Sequence, residues 1–203
     1  FEVGHVRLYA EGGAAVLAGE TELFSSKDHN SHQLEELGFV ARGGADFGWS
    51  NIRLEFGYAS GDTDSHDDRI RSFKFDRDYG VGLVLFGEYL GNLTAASAWN
   101  VSRPHTSHVA PAGHSHIPTD GAVTNAIYLN PVVKLTPSPN VEVLLGLLYA
   151  RAEEEAFDPF QSGMKDGAEV KGYRGAAHPV ELGWELDLAV SYTAELWGLG
   201  TLE

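Results

Sequence analysis

A chain of 203 residues and 22.0 kDa with 43% apolar side chains and a formal charge of −15 can bury a core and is too apolar for a disordered tail. The acidity argues against a nucleic-acid partner, because phosphate binding needs clustered Lys and Arg, and the absence of cysteine excludes disulfides and thiolate metal sites. No run of eighteen apolar residues supplies a membrane-spanning helix, so a membrane protein of this sequence must be a β-barrel.

Twenty-four glycines, 11% aromatic residues and one methionine suit a sheet with aromatic girdles better than a helical bundle. Phe1 is not a natural start, so no secretion signal is visible and processing or truncation upstream stays open. Leu202-Glu203 reads equally well as native chain or as a cloning remnant.

In chain order, Val6, Leu8, Ala10, Gly12 and Ala14 alternate with Arg7, Tyr9 and Glu11, which predicts a first strand within 3–19. The polar run 20–33, with Lys27, Asp28, His29, Asn30, Ser31 and His32, predicts a solvated loop. A second strand carries Leu37, Phe39, Ala41, Gly43, Ala45 and Phe47 against Glu36, Val40, Arg42 and Asp46. After a short link at 48–50, a third presents Ile52, Leu54, Phe56 and Tyr58 against Asn51, Arg53 and Glu55.

The stretch 61–121 breaks this rhythm with an acidic opening, an apolar piece at 81–90 and a histidine-rich end. Helix-like spacing runs from Leu85 to Val101. Two short turns, at 48–50 and 136–140, belong on one side of a barrel and require an even number of crossings between them. The stretch 61–121 is therefore expected to be one long excursion that folds against or into the barrel and narrows it.

The clearest hairpin follows. Ile127, Leu129, Pro131, Val133 and Leu135 share one parity and Asn130 and Lys134 the other. Pro137 and Pro139 are expected to end the first arm. Val141, Val143, Leu145, Leu147 and Tyr149 then return against Glu142, Leu144, Gly146, Leu148 and Ala150. Each arm has about ten residues, the length of a tilted strand crossing a bilayer. A long polar loop at 156–178 precedes a strand in which Val180, Leu182, Trp184, Leu186, Leu188, Val190 and Tyr192 alternate with Glu181, Gly183, Glu185 and Asp187. A further strand is expected to begin near Leu196.

Alternation alone does not say which face meets water, since a soluble sheet turns its apolar face inward and a membrane barrel turns it outward. The arm lengths, the contrast of short turns with long loops, and aromatics near strand ends (Trp49, Tyr58, Tyr149, Tyr192, Trp197) point to the membrane. The expected fold class is all-β, an antiparallel transmembrane β-barrel or part of one, with short periplasmic turns and long extracellular loops, spanning 1–203 as a single region. On that parity the pore-lining residues are Arg7, Glu11, Glu36, Arg42, Asp46, Arg53, Glu55, Lys134, Glu142, Glu181, Glu185 and Asp187.

Three segments resemble the alginate-export type of outer-membrane porin family. These are LEFGYASGDTDSHDDRIRSFKFD from Leu54 to Asp76, NPVVKLTPSPNVEVLLGLLYA from Asn130 to Ala150, and ELGWELDLAVSYT from Glu181 to Thr193. The resemblance covers roughly residues 36 to 193. It implies a porin barrel larger than this chain, of which these residues supply the C-terminal half. No terminal strand ends in Phe or Trp, and the lumen is acidic where a polyuronate exporter implies a cationic pore. The resemblance thus implies the fold and a pore rather than that substrate.

Two clusters have metal-ligating residue types. Asp62, Asp64, Asp67 and Asp68 beside Gly61 offer oxygens to a hard cation such as calcium, at a spacing unlike an EF-hand and equally that of a solvated acidic loop. His114 and His116, with His105, His108 and Asp120 nearby, offer imidazole nitrogens to a transition metal, in a Gly/Pro/Ser loop where such spacing is common. No nucleophile stands at a recognisable spacing from a base and no glycine loop cradles phosphate, so no enzyme is expected.

The leading expectation is a bacterial outer-membrane channel with an acidic lumen for small solutes or ions, surrounded by lipid and lipopolysaccharide. The alternatives are a barrel sheathing a periplasmic or lumenal partner, such as a multihaem electron carrier, and a soluble β-protein binding an apolar ligand.

Overall fold

The computed structural model describes residues 2–3, 6–22, 29–62, 67–76, 78–90, 122–155, 181–196 and 200–202. Its principal element is one sheet of eight strands: β1 (Glu2–Val3), β2 (Val6–Thr21), β3 (His32–Asp46), β4 (Ser50–Ala59), β5 (Arg69–Ile70), β6 (Ala126–Ser138), β7 (Val141–Arg151) and β8 (Glu181–Tyr192). Neighbours run antiparallel in the order β1-β2-β3-β4-β6-β7-β8, and β5 adds two residues parallel to β3. The sheet is open, with β1 and β8 at its ends. Beyond it, β9 (Ala194–Leu196) pairs with β10 (Gly200–Leu202). The strand expected near Leu196 is thus half of a small separate hairpin.

Short connections gather at one end. The β3–β4 link closes with Phe47 N–H donating to the Ser50 carbonyl at 2.8 Å, and Gly48 supplies the positive φ of 84° that the turn demands. The β6–β7 turn is tighter than expected, because β6 continues through Pro137 to Ser138 and only Pro139 and Asn140 lie between the strands. A register shift between Leu135 and Ser138 absorbs the proline that was expected to end the strand. At the other end β2 and β3 reach further than the polar composition of 20–33 suggested, to Thr21 and from His32. β4 and β6 are direct neighbours in the sheet, paired from Ser50↔Leu135 to Ala59↔Ala126.

Pro131 sits inside a central strand, where its missing N–H should leave a carbonyl unpaired. The β6–β7 ladder skips positions 130 and 131, and the Asn130 side-chain amide donates to the Leu147 carbonyl at 3.1 Å instead. A side chain thus completes a backbone ladder.

The register separates the two faces. Leu8, Val16, Leu37, Ile52, Leu54, Leu129, Leu145, Leu147, Trp184, Leu186, Leu188 and Val190 share one face across six neighbouring strands, with exposures from 39% at Leu37 to 72% at Val16 and Trp184. Glu36, Glu55, Asn130 and Asp187 lie on the other face and are buried. This inverts the arrangement of a sheet in water.

What covers the charged face is the chain between β4 and β6. Residues 67–90, here called the strap, lay Phe75, Val81, Leu85, Phe86 and Leu90 against Ala59, Ala126, Tyr128, Leu148 and Ala150 of the sheet. Leu85–Leu90 forms a single wide helical turn; the remainder of the helix-like run to Val101 lies outside the described residues. Burial of each large apolar strap side chain contributes about 1.5–3 kcal/mol, so the core of this molecule lies on the face that also holds its buried carboxylates.

Glycines make that packing possible at two places. The Phe73 ring occupies the space a Cβ on Gly38 would fill, and the Tyr128 ring does the same over Gly57. Gly57→Ala forces Tyr128 off its seat and is expected to destabilise the fold by about 1–3 kcal/mol, the usual cost of overpacking. The midpoint of chemical unfolding reads this, and a midpoint equal to that of the parent chain would show that the ring is not held there.

Candidate functional site: charged groups beneath the strap

The strap meets the sheet at a cross-strand row. Glu11, Arg42, Glu55 and Asn130 are successive partners on β2, β3, β4 and β6. Side chains opposite one another in such a row lie close enough to interact. The Arg42 guanidinium bridges two carboxylates, its Nη1 to Glu11 Oε1 at 2.8 Å and its Nε to Glu55 Oε2 at 2.7 Å.

Glu55 is only 3% exposed and its second oxygen is also satisfied. Tyr79 of the strap donates to Oε1 at 2.8 Å and Tyr128 of β6 at 2.7 Å. Burial and the Glu55 carboxylate push the Tyr79 hydroxyl up from its ordinary value, which keeps it a donor. Tyr79 in turn accepts from Arg42 Nη2 at 3.3 Å. Aromatic stacking reinforces the same spot, with Phe75 against Tyr79 and both Phe75 and Phe86 edge-on to Tyr128.

A second anchor lies across the sheet on β8. The Glu185 carboxylate accepts the backbone N–H groups of Leu83, Val84 and Leu85, the last two through different oxygens. Gly82, at φ 69°, shapes the bend that turns these three donors toward one acceptor. Asp187 is buried against Gly146, two residues along the same strand face from Glu185.

The rim at the long-connection end is held by a third cluster. Arg71 reaches Asp62 at 3.3 Å, Asp67 at 2.7 Å and Glu35 at 3.7 Å, and Arg69 reaches Glu35 at 3.0 Å. Burial works against the charge on Arg71, yet its hydrogen bond with Asp67 and the attraction of Asp67, Asp62 and Glu35 more than restore it and raise its pKa. The acidic quartet expected to offer oxygens to calcium is therefore partly occupied by a guanidinium: Asp62 and Asp67 grip Arg71, Asp68 is exposed, and Asp64 lies outside the described residues. Among the described residues no three His, Asp or Glu converge as a metal set. His105, His108, His114, His116 and Asp120 also lie outside them.

Most of the side chains expected to line a pore share the charged face. Arg7 and Asp46 approach to 3.8 Å near the short-turn end, and Lys134 pairs with Glu142 across β6 and β7. Glu36 is buried within electrostatic reach of Lys74 on the strap. Arg53 lies in the same row as Gly44 and Val132, its Nε buried and without a hydrogen-bond partner. Glu181 departs from the set. A bulge between Ala150 and Arg151 sets it opposite Arg151, and Leu182 turns toward the core instead.

Sequence reasoning missed Tyr79, Tyr128 and the grip of Glu185 on the strap. Tyr128 was findable, since it shares the parity of Asn130 and Lys134. Beside the strap the charged face opens into a cavity of about 290 Å3 floored by Gly13, Ala15, Gly38 and Val40 and walled by Phe73, Phe75 and Tyr79.

Arg42→Met strips a buried carboxylate of its cation and is expected to destabilise the fold by about 3 kcal/mol or more. Glu55→Gln is expected to cost less, because the amide oxygen still accepts from Tyr79 and Tyr128 while Glu11 keeps Arg42 paired. Paired unfolding curves check the order, and a larger loss for Glu55→Gln would contradict this account of the row. No family model, curated protein or solved structure matches the chain.

Proposed function

We propose that this chain forms wall strands of an outer-membrane β-barrel channel for small solutes or ions, with the strap as the constriction in its lumen. The observation that carries the reading is the inverted sheet: an apolar face turned outward over six strands, with Glu20, Glu35 and Arg151 only at its long-connection rim, and buried carboxylates on the face beneath the strap. In water so wide an apolar face is an aggregation liability. In hydrocarbon it is the surface a barrel needs.

Three further features support it. Short turns gather at one end and long connections at the other. Exposed aromatics fall at both ends of the apolar face, with Phe47, Trp49 and Tyr192 near the short turns and Tyr149 and Trp184 toward the other end. Tyr192 and Trp184 are eight residues apart along β8, about 26 Å at strand rise, the scale of an apolar band between two interfaces. The open sheet requires that the rest of the wall come from further strands or a second copy. The resemblance of three segments to the alginate-export porin family supports the same fold, and lipid with lipopolysaccharide would be the surroundings.

Solute preference follows from charge balance on the inner face. Arg7, Arg42, Arg53 and Lys134 are equalled in number by Asp46, Glu11, Glu55 and Glu142, which leaves Glu36, Glu185 and Asp187 as acidic excess. Carboxylate-rich lumens favour cations and repel polyanions. On this reading the cavity of about 290 Å3 beside the strap would be the space through which small solutes pass it.

Leu188→Arg separates this reading from a soluble one. Leu188 is 64% exposed, so in water the change should move stability by no more than about 0.5 kcal/mol. At this position, midway between Trp184 and Tyr192 and so facing mid-bilayer, it should cost about 2–4 kcal/mol. Folding of both chains into lipid vesicles measures the difference, and a neutral outcome in a sample shown to be folded removes the membrane assignment. Planar-bilayer recordings of folded protein should give cation-preferring channels; silent bilayers would remove the pore.

A further inference from the structure

The Glu185 contact has a design that packing alone does not require. One carboxylate on a wall strand receives three consecutive backbone N–H groups from the strap, Leu83, Val84 and Leu85. A ring of amide donors of this kind stabilises negative charge and is a poor host for a neutral acid. Its neighbour on the same strand face, Asp187, is two residues away and buried. Two carboxylates so placed repel one another and burial penalises the charge on Asp187, so a proton on Asp187 relieves both costs.

The described groups that face the pair carry no charge. Across the register β7 presents Gly146 and Leu148 to Asp187 and Glu185, and the strap presents Gly82 to Phe86, none of them titratable. The strap's other polar tie, Tyr79 to Glu55, lies on the far side of β6 and involves a phenol that stays protonated.

We propose that Glu185 and Asp187 form a proton-operated latch: the strap is held against the wall while Glu185 is ionised beside a neutral Asp187, and its helical turn is released when Glu185 is neutralised. Ionising Asp187 as well sets two carboxylates side by side and loosens the latch from the alkaline side. The inference rests on the channel reading only for its consequence, a wider path in acid; the latch is a property of the fold.

Hydrogen exchange on the full chain, folded in detergent or lipid, tests the latch without a conducting pore. After correction for intrinsic rates, protection of the amides of residues 83–85 should be highest at intermediate pH. It should fall at least tenfold once carboxyl groups are protonated, while the β6–β7 ladder stays protected. Glu185→Gln should lower that protection at least tenfold at neutral pH, and Asp187→Asn should flatten the alkaline decline. The pH series on the unaltered chain needs no variant to fold, so constant protection at 83–85 across it overturns the proposal. Glu185→Gln with unchanged protection in a folded sample overturns it too, and an alkaline decline that survives Asp187→Asn removes Asp187 from the latch. If protection is lost in acid and conductance does not rise, the latch stands and the strap is not the constriction.

Discussion

A carboxylate taken out of water costs several kcal/mol unless its charge and its oxygens are answered. Glu55 and Asp187 are both buried beneath the strap, so this requirement shapes what lies around them. Glu55 obtains a guanidinium from the neighbouring strand and two phenols, one from the sheet and one from the strap. Beside Asp187, Glu185 obtains three backbone donors from the strap itself. The strap is thereby positioned by the charges it covers. Its aromatic and aliphatic side chains settle on the small or flat residues between those anchors, notably Phe73 over Gly38, while Tyr128 of the sheet itself lies over Gly57.

The consequence is a molecule whose interior is assembled from unlike parts. One layer is a sheet face rich in ionisable groups, the other a single excursion of chain with apolar side chains, and neither would stay dry alone. Pairing the charges removes their cost, and burying the rings supplies the net gain. The outward face takes no part in this. It is free to be apolar, which is the feature on which the channel reading turns.

Much of the sheet was legible because strand alternation is a local signal. The hairpin from Ala126 to Arg151 and the strand from Glu181 to Tyr192 could be read from period two alone, as could the sharing of one face by Arg42, Glu55, Lys134 and Asp187. Proline misled at one boundary: Pro137 is tolerated within β6 because a register shift opens beside it, and nothing local announces that. The bulge that displaces Glu181 was equally silent. The contacts made by the strap were beyond sequence reading, since the groups concerned are about a hundred residues apart in the case of Glu185. Composition left the acidic loop open between a cation site and a solvated loop, and it did not announce that Asp62 and Asp67 pair with Arg71, four residues beyond Asp67.

Asn130 and Pro131 carry an implication for how such a sequence can drift. The imino acid withholds a donor from the Leu147 carbonyl and the amide beside it makes good the loss. Neither residue is interchangeable by itself: replacing Asn130 orphans an oxygen inside the wall, while restoring a donor at 131 sets two hydrogens competing for it. The pair should therefore be inherited or exchanged together, a dipeptide constraint that a residue-by-residue view of tolerance would overlook.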